Sequence, residues 1–286
     1  MTYLLIFFAI IAGHTLIYNL SIYLFTSIFG VRVEKFYVFF DVKFALLKKK
    51  IGKTEFGLGW VPFGGYLKIV GFGGEPSEEI PADSFSKLSF FKQYLVLFAG
   101  PLSNLIVGLL VYAYVFTFTP SQSFASIGII VLLLAGYAIL VNFILTLNRN
   151  RGKITTAKKD LFFLASMIVY CALMVTIAYL VNQVFPLFDC FEKLWQGNLM
   201  DSYFNTPDSS FNFYFFVALL GVLLFFFNLL PLSGMTGFNL LKAIYRFFSG
   251  EAISDKFQAI FGLISLPFLL VIFGWFLYQF IVVSLG

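Results

Sequence analysis

The chain has 286 residues, of which 60% are hydrophobic, 21% aromatic and only 12% charged, with a net charge of +5. A soluble globular protein carries about 45–50% apolar and about 25% charged residues, which excludes a water-soluble domain as the main body. One histidine and two cysteines, Cys171 and Cys190, imply no disulfide framework.

Six apolar runs follow in chain order, at residues 2–29, 90–118, 123–147, 160–185, 210–232 and 257–284. A membrane-spanning helix needs about 20 such residues, so six transmembrane helices are expected. The first run has no basic start and no small-residue cleavage site, unlike a removed signal peptide. It is expected to remain as the first span. The basic residues sort with this count. Ten lie in 30–92, five in 148–159 and three in 233–256, whereas 186–209 holds only Lys193 and 119–122 none. Eighteen of the nineteen therefore fall on one side, the positive-inside pattern, which puts both termini outside the cytoplasm. That topological explanation also leaves no reason to expect a nucleic-acid partner.

Segment 36–72 differs from its surroundings. Phe36–Leu47 and Thr54–Val70 are rich in strand formers, with Lys48-Lys-Lys-Ile-Gly-Lys53 between them as a turn. An open sheet edge is not tolerated against lipid, so the strands are expected to tuck against the helices or lie at the interface. The lysines of the turn can be solvated or can face anionic headgroups. Segment 73–89 is polar and broken by Gly and Pro, as a loop would be.

Four elements carry a resemblance. Gly30-Val-Arg-Val-Glu-Lys-Phe leads to Trp60-Val-Pro-Phe-Gly-Gly-Tyr-Leu-Lys-Ile-Val. Phe98-Ala-Gly-Pro-Leu-Ser-Asn104, Asn228-Leu-Leu-Pro-Leu-Ser-Gly-Met-Thr-Gly237 and Ser254-Asp-Lys-Phe-Gln258 follow in order. Together they resemble the site-2 protease family, the intramembrane zinc metalloproteases. The resemblance implies an all-α polytopic bundle with a membrane-associated β-hairpin after the first helix. It covers 1–118, an N-terminal core, and 210–286, a C-terminal core. Residues 119–209 do not match and form an atypical insert, read as two more spans and an outside loop. The likeness further implies a bacterial inner membrane as the location. It also implies a groove for an extended substrate involving Gly100, Pro101 and Asn104, at the start of the second helix, residues that can equally serve helix packing. Gly64 and Gly65 belong to the same groove and are most simply turn glycines.

The family's chemistry needs two histidines four residues apart, a glutamate beside the first, and an aspartate from a Leu-Asp-Gly element. A catalytic zinc takes three such ligands and leaves one position for water, whose proton the glutamate removes. Counted back without gaps from Gly30, the histidine positions hold Tyr18 and Ile22, the glutamate position Asn19 and the aspartate position Thr236. The sole histidine, His14, lies one turn earlier on the same face. With a gap, His14 takes the first histidine's place, Thr15 the glutamate's and Tyr18 the second histidine's. Neither register yields two imidazoles or a base, so no metal and no cofactor is expected. The expected function is that of a pseudoprotease, whose partners are the lipid bilayer and a transmembrane segment or membrane protein. Two rivals stand beside it. One is an active protease with an unusual site around His14. The other is a small-molecule or ion transporter with helices broken at Pro101 and Pro231.

Overall fold

The computed structural model describes residues 2–72, 81–117, 209–250 and 253–285. The chain divides into two compact units, Met1–Leu109 and Leu110–Gly286. The two middle apolar runs, 123–147 and 160–185, lie outside the described residues, as does most of the insert.

Helix α1 spans Thr2–Ile28. It carries no charge and is apolar all round, as a helix in lipid must be. Its end is written in the sequence. Gly30 sits at φ 73°, its N–H donating to the Ser27 carbonyl and that of Val31 to Thr26. These two bonds form the Schellman cap, which favours glycine at the left-handed position. Helix α2 spans Phe90–Thr117 and continues through Pro101. The Ala-Gly-Pro element thus lies inside α2 and not at its start, and the helix is not broken there. Phe8–Ile28 and Phe90–Tyr114 are each long and apolar enough to cross a bilayer.

Between these helices, β1 (Val33–Ile51) and β2 (Thr54–Ile69) form an antiparallel pair. The turn is tighter than expected. Ile51 pairs with Thr54, leaving only Gly52 and Lys53 in the loop, and Gly52 adopts φ 59° as a two-residue hairpin turn favours. Both strands are also bent. Residues 33–38 pair with 65–69 on one side and, in step, with 55–58 on the other, while 45–51 pair with 54–59. Four segments therefore lie abreast, in the order 45–51, 54–59, 33–38, 65–69. The bends fall where the backbone departs from strand geometry, at Phe39 (φ 66°), Lys43 (φ 70°) and Gly64 (φ 76°). Gly64 and Gly65 lie within β2 at its bend, where Gly64 takes the left-handed conformation.

The inner segments pack on α1. The Tyr23 ring meets Phe36 and Phe56 edge-on at 5.8 and 5.6 Å. The chain between β2 and α2 is tied back to the start of β1. Arg32 donates its N–H to the Asp83 carbonyl and accepts from Val70, and its guanidinium pairs with the Asp83 carboxylate at 3.5 Å.

In the second unit, α3 (Ser209–Leu229) and α5 (Asp255–Leu285) occupy the fifth and sixth apolar runs. Segment 233–256, expected to be a connection, instead contains a 14-residue helix, α4 (Thr236–Ser249). It is amphipathic. Phe238, Leu240, Leu241 and Tyr245 are buried, while Arg246 and Phe247 are exposed. Phe238 stacks on Phe261 of α5 at 4.9 Å, and Lys242 lies over the Phe238 ring at 5.2 Å. Gly250, at φ 73°, closes α4 on the Arg246 carbonyl.

Candidate functional site

Nearly every position singled out in the first unit converges on one seam between α1, α2 and the sheet. Residues 14, 18 and 22 lie one turn apart on one face of α1. Opposite them on α2 stand Asn104 and, one turn earlier, Gly100. His14 is buried and its Nδ1 lies 3.3 Å from Asn104 Oδ1. With Asn104 accepting through its carbonyl oxygen, the imidazole donates from Nδ1. A Cβ at Gly100 would stand 2.6 Å from the Tyr18 ring and 2.9 Å from Ile22 Cδ1. Only glycine allows the two helices to approach this closely, as is common in membrane bundles. Pro101 is buried beside it, and Ser103 Oγ donates to the Gly100 carbonyl at 2.7 Å.

Asn19 turns the other way. Almost fully buried, it donates from Nδ2 to the Tyr37 carbonyl of β1 at 3.0 Å. Gly65 of β2 leaves room for this bond, since a Cβ there would meet the Tyr37 carbonyl and stand 2.7 Å from Asn19 Nδ2. Gly64 has a different task. Its positive φ makes the bend, and a Cβ would find only the edge of the Phe40 ring, at 3.5 Å. Asn19 therefore does structural work, locking the inner sheet to α1.

Thr236 belongs to the second unit. It is buried at the first position of α4, behind a loop in which Gly234 takes φ 90°. That loop is held by Ser265 of α5. Its Oγ accepts from the Ser233 N–H at 3.2 Å and donates to the Phe261 carbonyl. Pro231 lies in the same loop, between α3 and α4.

One cluster had no counterpart in the sequence reading. The Tyr37 hydroxyl donates to Glu55 at 2.7 Å and the Tyr66 hydroxyl to Asp41 at 3.0 Å. The two rings stack 5.2 Å apart. Both carboxylates thus serve as acceptors for neutral phenols at the sheet bend. Alternating Tyr and acidic residues across two strands is a weak signal, and only the folded register brings them opposite one another.

The donor set can be tested against a catalytic zinc. It would need two imidazoles and a carboxylate facing one open position. The seam offers one imidazole already bonded to Asn104, a phenol packed on glycine, an amide bonded to a backbone carbonyl and an isoleucine. These residues do not fit the metal. No group of three or more His, Cys, Asp or Glu side chains able to hold a metal ion occurs among the described residues.

Comparison with known proteins places the scaffold. The family model "Peptidase family M50" matches residues 4–272, nearly the whole chain. A protein of Borreliella burgdorferi named as a candidate zinc metalloprotease is 38% identical over 106 residues, covering 35% of this chain and 24% of that protein. Like-named proteins of Chlamydia trachomatis and Thermotoga maritima are 36% and 32% identical over 111 and 108 residues. Those matches cover 35% and 37% of this chain and 17% and 21% of the two relatives. The chain thus matches about a fifth of its curated relatives' length. The family match over nearly the whole chain establishes that the chain belongs to peptidase family M50, the site-2 protease family.

Proposed function

We propose that this member of the family is a pseudoprotease. It binds a transmembrane segment or a partner membrane protein without cutting it, as a subunit, assembly factor or regulator of a membrane complex. The observation that carries the reading is the use made of the four former catalytic positions. Tyr18 and Ile22 pack against Gly100, Asn19 is bonded to Tyr37, and Thr236 is a neutral residue at the start of α4. A hydrolytic site must keep its ligands directed at a common point with one position open. Here the side chains on α1 are committed to holding α1, α2 and the sheet together. Gly100, Pro101 and Asn104 are buried in the same seam and Gly65 stands against Asn19, so of the groove residues Gly64, at the sheet bend, is the one left for recognition. We place the protein in a bacterial inner membrane with both termini outside the cytoplasm, a reading supported by the one-sided distribution of lysine and arginine.

The deciding measurement is the metal content of the full-length protein purified in detergent and dialysed against zinc at neutral pH. Far less than one zinc per chain is expected. Stoichiometric zinc that is lost in His14→Ala would sink the proposal, as would cleavage of a model transmembrane substrate that His14→Ala abolishes.

A further inference from the structure

The geometry points to the hairpin turn as a docking surface for the anionic headgroups of the leaflet on its side of the membrane. The Gly65 position stands against Thr15 and Asn19, so the bend of the sheet lies beside the middle of α1. The outer segments then return. Thr54 Oγ donates to the Val33 carbonyl at 2.8 Å, which sets the turn level with the residues just past the end of α1. From Asn19 to Ile28 the helix rises about 14 Å at 1.5 Å per residue, close to half of a hydrocarbon core of about 30 Å. The sheet thus enters along a membrane-crossing helix, and its turn emerges at the interface.

The side chains follow that depth. Lys48, Lys49, Lys50 and Lys53 are all exposed at the turn. Lys92, exposed at the start of α2, lies over the Phe29 ring at 5.4 Å, at the same end of α1. No carboxylate interrupts residues 42–54. The flanking acids, Asp41 and Glu55, accept bonds from Tyr66 and Tyr37. Among the described residues none of the four turn lysines enters an ion pair. Next to the lysines the outer segment exposes Phe44, Leu46, Leu47 and Ile51, with Leu47 69% exposed. Phe44 stacks on the exposed Trp60 at 5.7 Å. A fully solvated turn would not flank its charges with large apolar side chains. Lysines bordered by aliphatic and aromatic residues match the headgroup zone, where the rings anchor and each lysine gains roughly five-fold in attraction to an anionic surface.

Hydrogen–deuterium exchange on the full-length protein in nanodiscs tests this, and its outcome does not depend on whether the chain binds zinc. Peptides spanning residues 44–56 are followed in phosphatidylcholine alone and in phosphatidylcholine mixed with phosphatidylglycerol. Exchange should slow several-fold in the anionic membrane, recover in high salt, and lose its lipid dependence in the K48Q/K49Q/K50Q/K53Q variant. The corresponding Lys→Arg variant should keep it. Equal exchange of the native protein in the two membranes overturns the proposal, as does a lipid effect that survives the Lys→Gln changes. Soluble polyglutamate that slows exchange equally in phosphatidylcholine would assign the lysines to an acidic protein and also overturn it.

Discussion

At Gly100 a single missing methyl group decides how α1 meets α2. Adding it brings a Cβ to 2.6 Å from the Tyr18 ring, and overpacking of this kind costs about 1–3 kcal/mol. Gly100→Ala should therefore lower the melting temperature of the detergent-solubilised protein. Tyr18→Ala should largely cancel that loss in the double variant. If the two changes simply add, the rings and the glycine are not in contact as described. His14 and Asn104 belong to the same seam. A double-mutant cycle of His14→Phe and Asn104→Leu should return a coupling near the 0.6–1.7 kcal/mol typical of polar contacts between membrane helices. Zero coupling would remove the bond from the account. The histidine and asparagine were both visible in the sequence as candidates. Their pairing was not, because 90 residues separate them and no periodicity links one helix to the other.

The hairpin makes its predictions as an element. Tyr37→Phe deletes the hydroxyl that donates to Glu55 at 2.7 Å, and losing one such bond should lower stability by about 1 kcal/mol, read as a lower melting temperature; an unchanged melting temperature would show that the phenol is not held as described. The two glycines of β2 also part company here. Gly65→Ala drives a Cβ into the Tyr37 carbonyl and Asn19, so it should break the sheet from α1. Gly64→Ala meets no backbone and costs only its left-handed φ, about 1–2 kcal/mol. Amide exchange over 33–38 should rise strongly for the first variant and little for the second. Strand formers and a lysine-rich turn announced a hairpin in the sequence, but the bend at residues 39–44 follows from register. Helix α4 escaped notice for another reason. A search for long apolar runs passes over a 14-residue amphipathic helix, although Phe238, Leu241 and Tyr245 at helical spacing and Gly250 as its cap were available signals.

For the molecule as a whole, orientation is the property that lysine and arginine control. On the expectation of six spans, eighteen of the nineteen lie on one side. Fusing an alkaline phosphatase reporter to the C-terminus should then give an active enzyme, because it folds only outside the cytoplasm. A fluorescent protein at the same end should stay dark after export through the same route. The reverse pair of results would require either an odd number of spans or the inverted orientation with both termini inside. What the amino-acid order settled without help is the solvent of the protein and the poverty of its chemistry. Apolar length is a local property, and a chain with one histidine cannot supply two imidazoles in any conformation. What only the folded chain decided is how Tyr18, Asn19 and the turn lysines are spent. The fit of Tyr18 on Gly100, the bond from Asn19 to Tyr37 and the return of the lysine turn to the end of α1 are contacts between residues far apart in sequence. Their energies arise from close packing and paired polar groups, which exist only once the helices and the bent sheet stand side by side.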